Sequence, residues 1–234
     1  MVTESISFLS EGERIDGNFS SPCKGAPLIL MSHGLESSKD GRKWLFLERR
    51  SHREGFATLR FTYRGCGRFG GFEDTTLARR VRDYKAAIDF LESKASIERL
   101  GVIGSSFGGR AAIAAKDRRI KAMALLATPF NLDLPIVEKD GRIELESGRV
   151  LKSEFFEDLK RYSTSEDLKA IKCPLLIIHG SKDEVVPLGD AHEIYKEANE
   201  PKRIEILEGG DHTFSDHLER VAEICLDWFR KYLK

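Results

Sequence analysis

The apolar run Leu100-Gly101-Val102-Ile103 leads directly into Gly104-Ser105-Ser106-Phe107-Gly108-Gly109, which leads into the helix-favouring stretch Arg110 to Lys116. A strand that turns into a helix within two or three residues brings the two backbones so close that the crossing leaves little room for side chains. Gly104, Gly108 and Gly109 stand where small residues are needed. The turn places Ser106 at the start of a helix, where unpaired N–H groups and the helix dipole favour developing negative charge. A bare Gly-x-Ser-x-Gly arises by chance in about one chain in ten of this size, so the flanking strand, the extra glycine and the helix carry the weight. Ser105 is the competing hydroxyl, but Ser106 holds the central position between the glycines and is the expected nucleophile.

The rest of the chain supplies a setting for such an elbow. From Pro27 onward, short β-rich runs alternate with amphipathic helices, the pattern of an α/β fold with a mainly parallel central sheet and helices on both faces. Strands are expected at Leu28 to Ser32, Ala57 to Tyr63, Leu100 to Gly104, Ala122 to Ala127, Leu175 to His179 and Arg203 to Leu207, most of them continuous apolar runs as buried strands should be. Ile6 to Leu9 and Arg14 to Phe19, split by Glu11-Gly12, read as an antiparallel pair at the sheet edge. Leu77, Val81, Tyr84, Ile88 and Leu91 set a helix over about Thr75 to Lys94, and Leu218, Val221, Cys225, Trp228 and Tyr232 set another at the C-terminal end. The 234 residues are expected to form one domain, 1–234, with a cap inserted at about 129–172, a stretch too long for an ordinary connection. Within it, Ile136 to Glu146 resembles a hairpin about Asp140-Gly141, and Phe155 to Tyr162 begins a short helix.

Composition narrows the partners. Lysine plus arginine equals aspartate plus glutamate, 38 against 38, so no global field favours nucleic acid or an anionic membrane, and a small locally bound substrate is expected. Self-association is left open. Cys23, Cys66, Cys173 and Cys225 lie far apart with no Cys-x-x-Cys pair, and the first residues lack a basic patch followed by an apolar run. Both features point to free thiols in the cytoplasm.

A serine hydroxyl needs a neighbouring histidine to take its proton, and that histidine needs a third group to hold its tautomer. Where a serine sits on such an elbow, the acid and then the histidine follow it in the chain, each beyond the end of a strand. Asp183 fits the acid, in the turn His179-Gly180-Ser181-Lys182-Asp183 after Leu175 to Ile178. His212 fits the base, in Glu208-Gly209-Gly210-Asp211-His212. His217 is a weaker candidate because it falls within the expected final helix, and His33 and His179 read as structural. Asp211-His212 and Asp216-His217 lack a third ligand at matching spacing, so no metal is expected. The oxyanion of acyl transfer needs two backbone N–H donors. Phe107 follows the nucleophile, and Leu35 lies in His33-Gly34-Leu35 after the first central strand.

Together, His33-Gly34-Leu35, Gly104 to Gly109, His179 to Pro187 and Gly210-Asp211-His212 resemble the α/β-hydrolase superfamily along nearly the whole chain. Tyr63-Arg64-Gly65-Cys66-Gly67, followed by Gly71 to Thr76, and the modest cap resemble the feruloyl and cinnamoyl esterase group. That resemblance implies hydrolysis of a small-molecule carboxylic ester through an acyl-enzyme, with no cofactor. Many relatives carry histidine before the nucleophile and glutamine or methionine after it, where Ser105 and Phe107 stand here. An apolar pocket is expected from Phe107 with Phe130, Leu132, Leu134, Phe155 and Phe156, although packing against the main domain accounts for the same cap residues. The same machinery serves amides and thioesters, and a non-catalytic binding protein is the remote alternative.

Overall fold

The computed structural model describes residues 3–67, 71–94, 98–132, 138–139 and 141–234. Strands β1 (Thr3–Ser10) and β2 (Glu13–Ser20) form the expected edge pair, turning at Glu11 and Gly12, both with positive φ. They are followed by β3 (Leu28–Ser32), helix α1 (Arg42–Arg53), β4 (Ala57–Phe61) and, after a 3₁₀ turn at Phe72–Asp74, helix α2 (Leu77–Lys94). Then come β5 (Leu100–Ser105), α3 (Phe107–Ala115) and β6 (Ile120–Leu126).

The chain next makes an excursion containing a small antiparallel sheet, β7 (Glu138–Lys139), β8 (Arg142–Glu144) and β9 (Val150–Lys152), and helices α4 (Glu154–Leu159) and α5 (Thr164–Ala170). The hairpin and the helix expected between residues 129 and 172 are both present. Leu134, Ile136 and Asp140, named in those expectations, lie outside the described residues. Strand β10 (Leu175–Gly180), α6 (Leu188–Glu197), β11 (Lys202–Leu207) and α7 (Leu218–Leu233) complete the chain.

Eight strands make one sheet in the order β1-β2-β4-β3-β5-β6-β10-β11. Of the described pairings, those from β4 to β11 are parallel, and β2 runs against both its neighbours. Alternate side chains face opposite layers, as the two-residue strand period demands. Leu28, Leu30, Val102, Met123, Leu125 and Ile177 pack with α2, α3, α5 and α6 on one face. Ile29, Met31, Ile103, Ala124, Leu126 and Ile178 pack with α1 and α7 on the other. With both faces covered, the central strands have no polar side to present, which explains their unbroken apolar sequences. The parallel strands end their C-terminal edges on one side of the sheet, where loops from several of them meet.

Candidate active site

Ser106 sits between β5 and α3 with φ 53° and ψ −128°, outside the conformations that L-residues prefer. Three close approaches hold it there. A side chain on Gly108 would put its Cβ 2.3 Å from the Ser32 carbonyl oxygen and 2.4 Å from that of His33. One on Gly104 would lie 2.7 Å from Gly109 Cα, and one on Gly109 would lie 2.0 Å from Thr128 Oγ1. Gly104 and Gly108 are required by contact with neighbouring backbone and Gly109 by contact with the Thr128 side chain, none of them by its φ angle. The Ser106 N–H donates to the Leu126 carbonyl on β6 (2.8 Å), tying the elbow to the neighbouring strand.

The loops after β10 and β11 are locked together before either reaches Ser106. Lys182 N–H donates to the Gly210 carbonyl (2.9 Å), Gly209 N–H to Ser181 Oγ (2.9 Å) and Ser181 N–H to the Leu207 carbonyl (2.9 Å). This joint brings Asp183 to His212. His212 Nδ1–H donates to the Asp183 carboxylate, at 2.9 Å to Oδ2 and 3.1 Å to Oδ1. Asp183 Oδ1 also accepts the N–H groups of Val185 (2.9 Å) and Val186 (2.8 Å), and its side chain is fully buried. Burial works to raise the carboxyl pKa. The hydrogen bond from His212 and those from the Val186 and Val185 amides outweigh it and hold the group below the usual carboxylate range.

With Nδ1 carrying the proton, Nε2 of His212 keeps its lone pair. Ser106 and His212 line the same cavity of about 750 Å³, although no hydrogen bond joins them in this structure. In substrate-free sites such contacts are often long or poorly aligned. Asp211, the other acid of this loop, accepts the Ser215 N–H at 2.8 Å and shapes the turn that presents His212. His217 differs from expectation in one respect: it precedes α7 as its N-cap and binds the Glu208 carbonyl (3.1 Å). Among the described residues no group of three or more His, Cys, Asp or Glu side chains is arranged to hold a metal.

The loop carrying Leu35 is braced from below. Tyr63 N–H donates to His33 Nε2 (3.1 Å), so the ring proton is on Nδ1, which donates to the Gly34 carbonyl (2.7 Å). That carbonyl belongs to the same peptide unit as the Leu35 N–H, and fixing one end of a planar trans peptide fixes the other. Burial, reinforced by the positive charge of Arg80, holds the His33 pKa well below the ordinary imidazole value. Ser32 Oγ completes the brace, sharing a 2.6 Å hydrogen bond with the Tyr63 hydroxyl and donating to the Gly108 carbonyl (3.0 Å). Among the described hydrogen bonds, neither the Leu35 N–H nor the Phe107 N–H has an acceptor.

The cavity wall departs from the sequence expectation. Leu35, Phe107 and Leu132 line it, together with Trp44, Pro129, Leu145, Val185, Val186, Pro187 and Leu218. Phe130, Phe155 and Phe156 do not. Phe155 is wholly buried, its ring 5.4 Å from that of Phe107 and 5.2 Å from that of Phe156, so it backs the wall from the core side. Phe130 is bound through its backbone, its N–H to Asp190 (2.9 Å) and its carbonyl from the Thr164 hydroxyl (2.6 Å). Lys43 is a site residue that sequence reading passed over. From α1 its ammonium donates to Ser105 Oγ (2.8 Å) over the Phe214 ring, and burial pushes its pKa down to about 8 against the opposing pull of Asp211 and Asp183.

Comparison with known proteins agrees with this architecture. Residues 51–234 match the model of the prolyl oligopeptidase family, Peptidase_S9, a range that contains Ser106, Asp183 and His212. The bovine (Bos taurus) palmitoyl-protein thioesterase ABHD10, mitochondrial, is 30% identical over 206 residues, spanning 78% of this chain and 65% of that protein. Among solved structures, Est1E from Butyrivibrio proteoclasticus bound to ferulic acid superposes with a TM-score of 0.88 at 21% identity, covering 97% of this chain and 98% of that one. The esterase domain of a Rhodothermus marinus protein superposes with a TM-score of 0.79 at 26% identity over the full length of both chains. The chain therefore belongs to the prolyl oligopeptidase family and is a serine hydrolase of the α/β-hydrolase type.

Proposed function

We propose that this protein hydrolyses carboxylic esters through an acyl-enzyme on Ser106. His212 Nε2 takes the Ser106 proton as the hydroxyl oxygen attacks the ester carbonyl, and Asp183 stabilises the imidazolium that results. The Leu35 and Phe107 N–H groups receive the oxyanion. The imidazolium then protonates the departing alcohol, and water, activated by the same histidine, releases the acid. The observation that carries this reading is the 2.9 Å Asp183–His212 hydrogen bond at a cavity that Ser106 also lines. The excursion after β6 is read as a cap, since its Leu132 and Leu145 close the apolar side of the cavity.

Aromatic acyl groups of the feruloyl type fit a wall built from Phe107, Trp44 and Leu132, and the likeness to a ferulate-bound esterase is in keeping with them. A thioester substrate is the second reading, favoured by the bovine relative's name and by the mainly apolar wall. The four cysteines are free thiols, in keeping with a reducing compartment such as the cytoplasm. Among the described residues no helix is long and apolar enough to cross a membrane.

The test is steady-state hydrolysis of p-nitrophenyl butyrate, methyl ferulate and a palmitoyl thioester by the wild type and Ser106→Ala, with stoichiometric labelling by a serine-directed phosphonate. Ester turnover lost in the variant supports the proposal. Turnover of the thioester alone would replace it with the second reading, and wild-type activity in Ser106→Ala would remove Ser106 from the mechanism.

A further inference from the structure

Arg80, on α2, is 1% exposed. Among the described residues no carboxylate lies within ion-pairing distance of it, and Nε and Nη1 have no hydrogen-bond partner. The acid one turn along the same helix, Asp83, is held by Arg64 at 2.6 Å. A buried cation without a counter-ion is costly, so its few contacts are informative. Nη2 donates to the Leu35 carbonyl (2.8 Å) and lies 3.0 Å from Cys66 Sγ, whose thiol donates to the same carbonyl (3.1 Å). The guanidinium carbon stands 4.2 Å from the Tyr63 ring centre and 5.7 Å from that of Phe107.

We infer that Arg80 is a positioning residue for the oxyanion site, joining the two segments that carry its N–H donors by gripping the Leu35 carbonyl and packing on the ring of Phe107. The inference rests on the donor assignment above. His33 fixes the peptide before Leu35 and Arg80 fixes the one after it, so the Leu35 N–H is held from both sides. The charge has the sign that favours an oxyanion. No carboxylate cancels it at contact distance, and the low-dielectric surroundings screen it little.

The experiment compares Arg80→Met and Arg80→Lys with the wild type, using p-nitrophenyl butyrate kinetics normalised to phosphonate-labelled sites. It also measures affinity for a trifluoromethyl ketone, which adds to the serine as an oxyanion. Arg80→Met should lower kcat by roughly 10- to 100-fold with KM changed by no more than about twofold, and should weaken the ketone by a similar factor. Arg80→Lys, which keeps the charge and one donor, should recover part of both. Unchanged kcat per labelled site in either variant, or a fall matched only by a loss of labelled sites, would overturn the inference. If Arg80→Met does not fold, Arg80→Lys decides: kcat and ketone affinity should fall together, and wild-type values in both would refute the role. A wild type that the phosphonate does not label would instead remove the serine mechanism itself.

Discussion

Changing Asp183 to asparagine isolates the part of the site that controls which nitrogen of His212 holds the proton. Asp183 Oδ1 accepts two backbone N–H groups, from Val185 and Val186, at 2.9 and 2.8 Å. An asparagine must therefore keep its oxygen at that position. The opposite orientation would set an NH₂ group against both amides and forfeit two buried hydrogen bonds, about 2–3 kcal/mol or more. With the orientation so decided, the NH₂ takes the place of Oδ2 and opposes His212 Nδ1 at the shorter 2.9 Å contact, donor against former donor, leaving Nδ1–H only the longer 3.1 Å approach to the retained oxygen. The imidazole shifts its proton to Nε2, the nitrogen needed to deprotonate Ser106.

A loss of about 10⁴-fold in kcat is expected at pH 7, the size seen when a triad aspartate becomes asparagine with its geometry intact. That corresponds to about 5 kcal/mol of barrier. Because both amides keep their acceptor, unfolding stability should fall by only about 1–2 kcal/mol. Ester kinetics with denaturant melts measure the two quantities, and nitrogen-correlated NMR of the imidazole reads the tautomer directly. A variant that retains activity within tenfold of the wild type, or one that keeps Nδ1–H, would refute the reasoning.

Two other perturbations follow from contact and from charge. Gly108→Ala meets two backbone carbonyl oxygens that cannot move aside, so it should destabilise by about 3 kcal/mol or more and give little folded protein. Gly34→Ala meets Ser106 Cβ at 3.3 Å and Oγ at 3.7 Å, and should fold but lose kcat; expression and melting of the pair alongside ester kinetics check both statements. For Lys43, the folded pKa of about 8 lies below the ordinary lysine value of 10.5. The unfolded chain thus binds the extra proton between those values, and this residue makes the fold more stable as pH rises from 8 to 10.5. Lys43→Met should remove that dependence and gain up to ~3 kcal/mol at pH 7; a variant-minus-wild-type difference equal at pH 7 and 10.5 in denaturant melts would show the account wrong.

The features that the sequence disclosed are those written in local pattern. Buried parallel strands left continuous apolar runs, so β3, β5, β6 and β10 were located within a residue or two of their ends. The elbow was legible because backbone contact leaves glycines in fixed places, and the pairing of Asp183 with His212 followed from two short turns after strands. What escaped notice depends on the third dimension. Lys43 precedes Trp44 in a helix whose charged sequence hides a buried stripe of Trp44, Leu47, Glu48 and Ser51. Nothing in that sequence marks Lys43 as the residue that turns toward Ser105. Arg80 looks like one more charge on an amphipathic helix, and only the crossing of α2 beneath the Leu35 loop puts it in the core. For Phe155 and Phe156 the sequence leaves both the cavity wall and packing against the main domain open, and the orientation of α4, which turns Phe155 onto Phe107, decides for packing.

The backbone of Ser106 has a consequence for the protein's history as well as its chemistry. Its positive φ is one that glycine adopts freely and serine adopts under strain, at a cost on the order of 1–3 kcal/mol. The most comfortable residue at that position is therefore one with no hydroxyl to offer. Mutational drift that rewarded folding alone would relax the turn and erase its reactive group. On the mechanism proposed above, a serine there serves turnover and not folding, and the tightly packed sheet and helices around it provide the stability that lets the chain tolerate it.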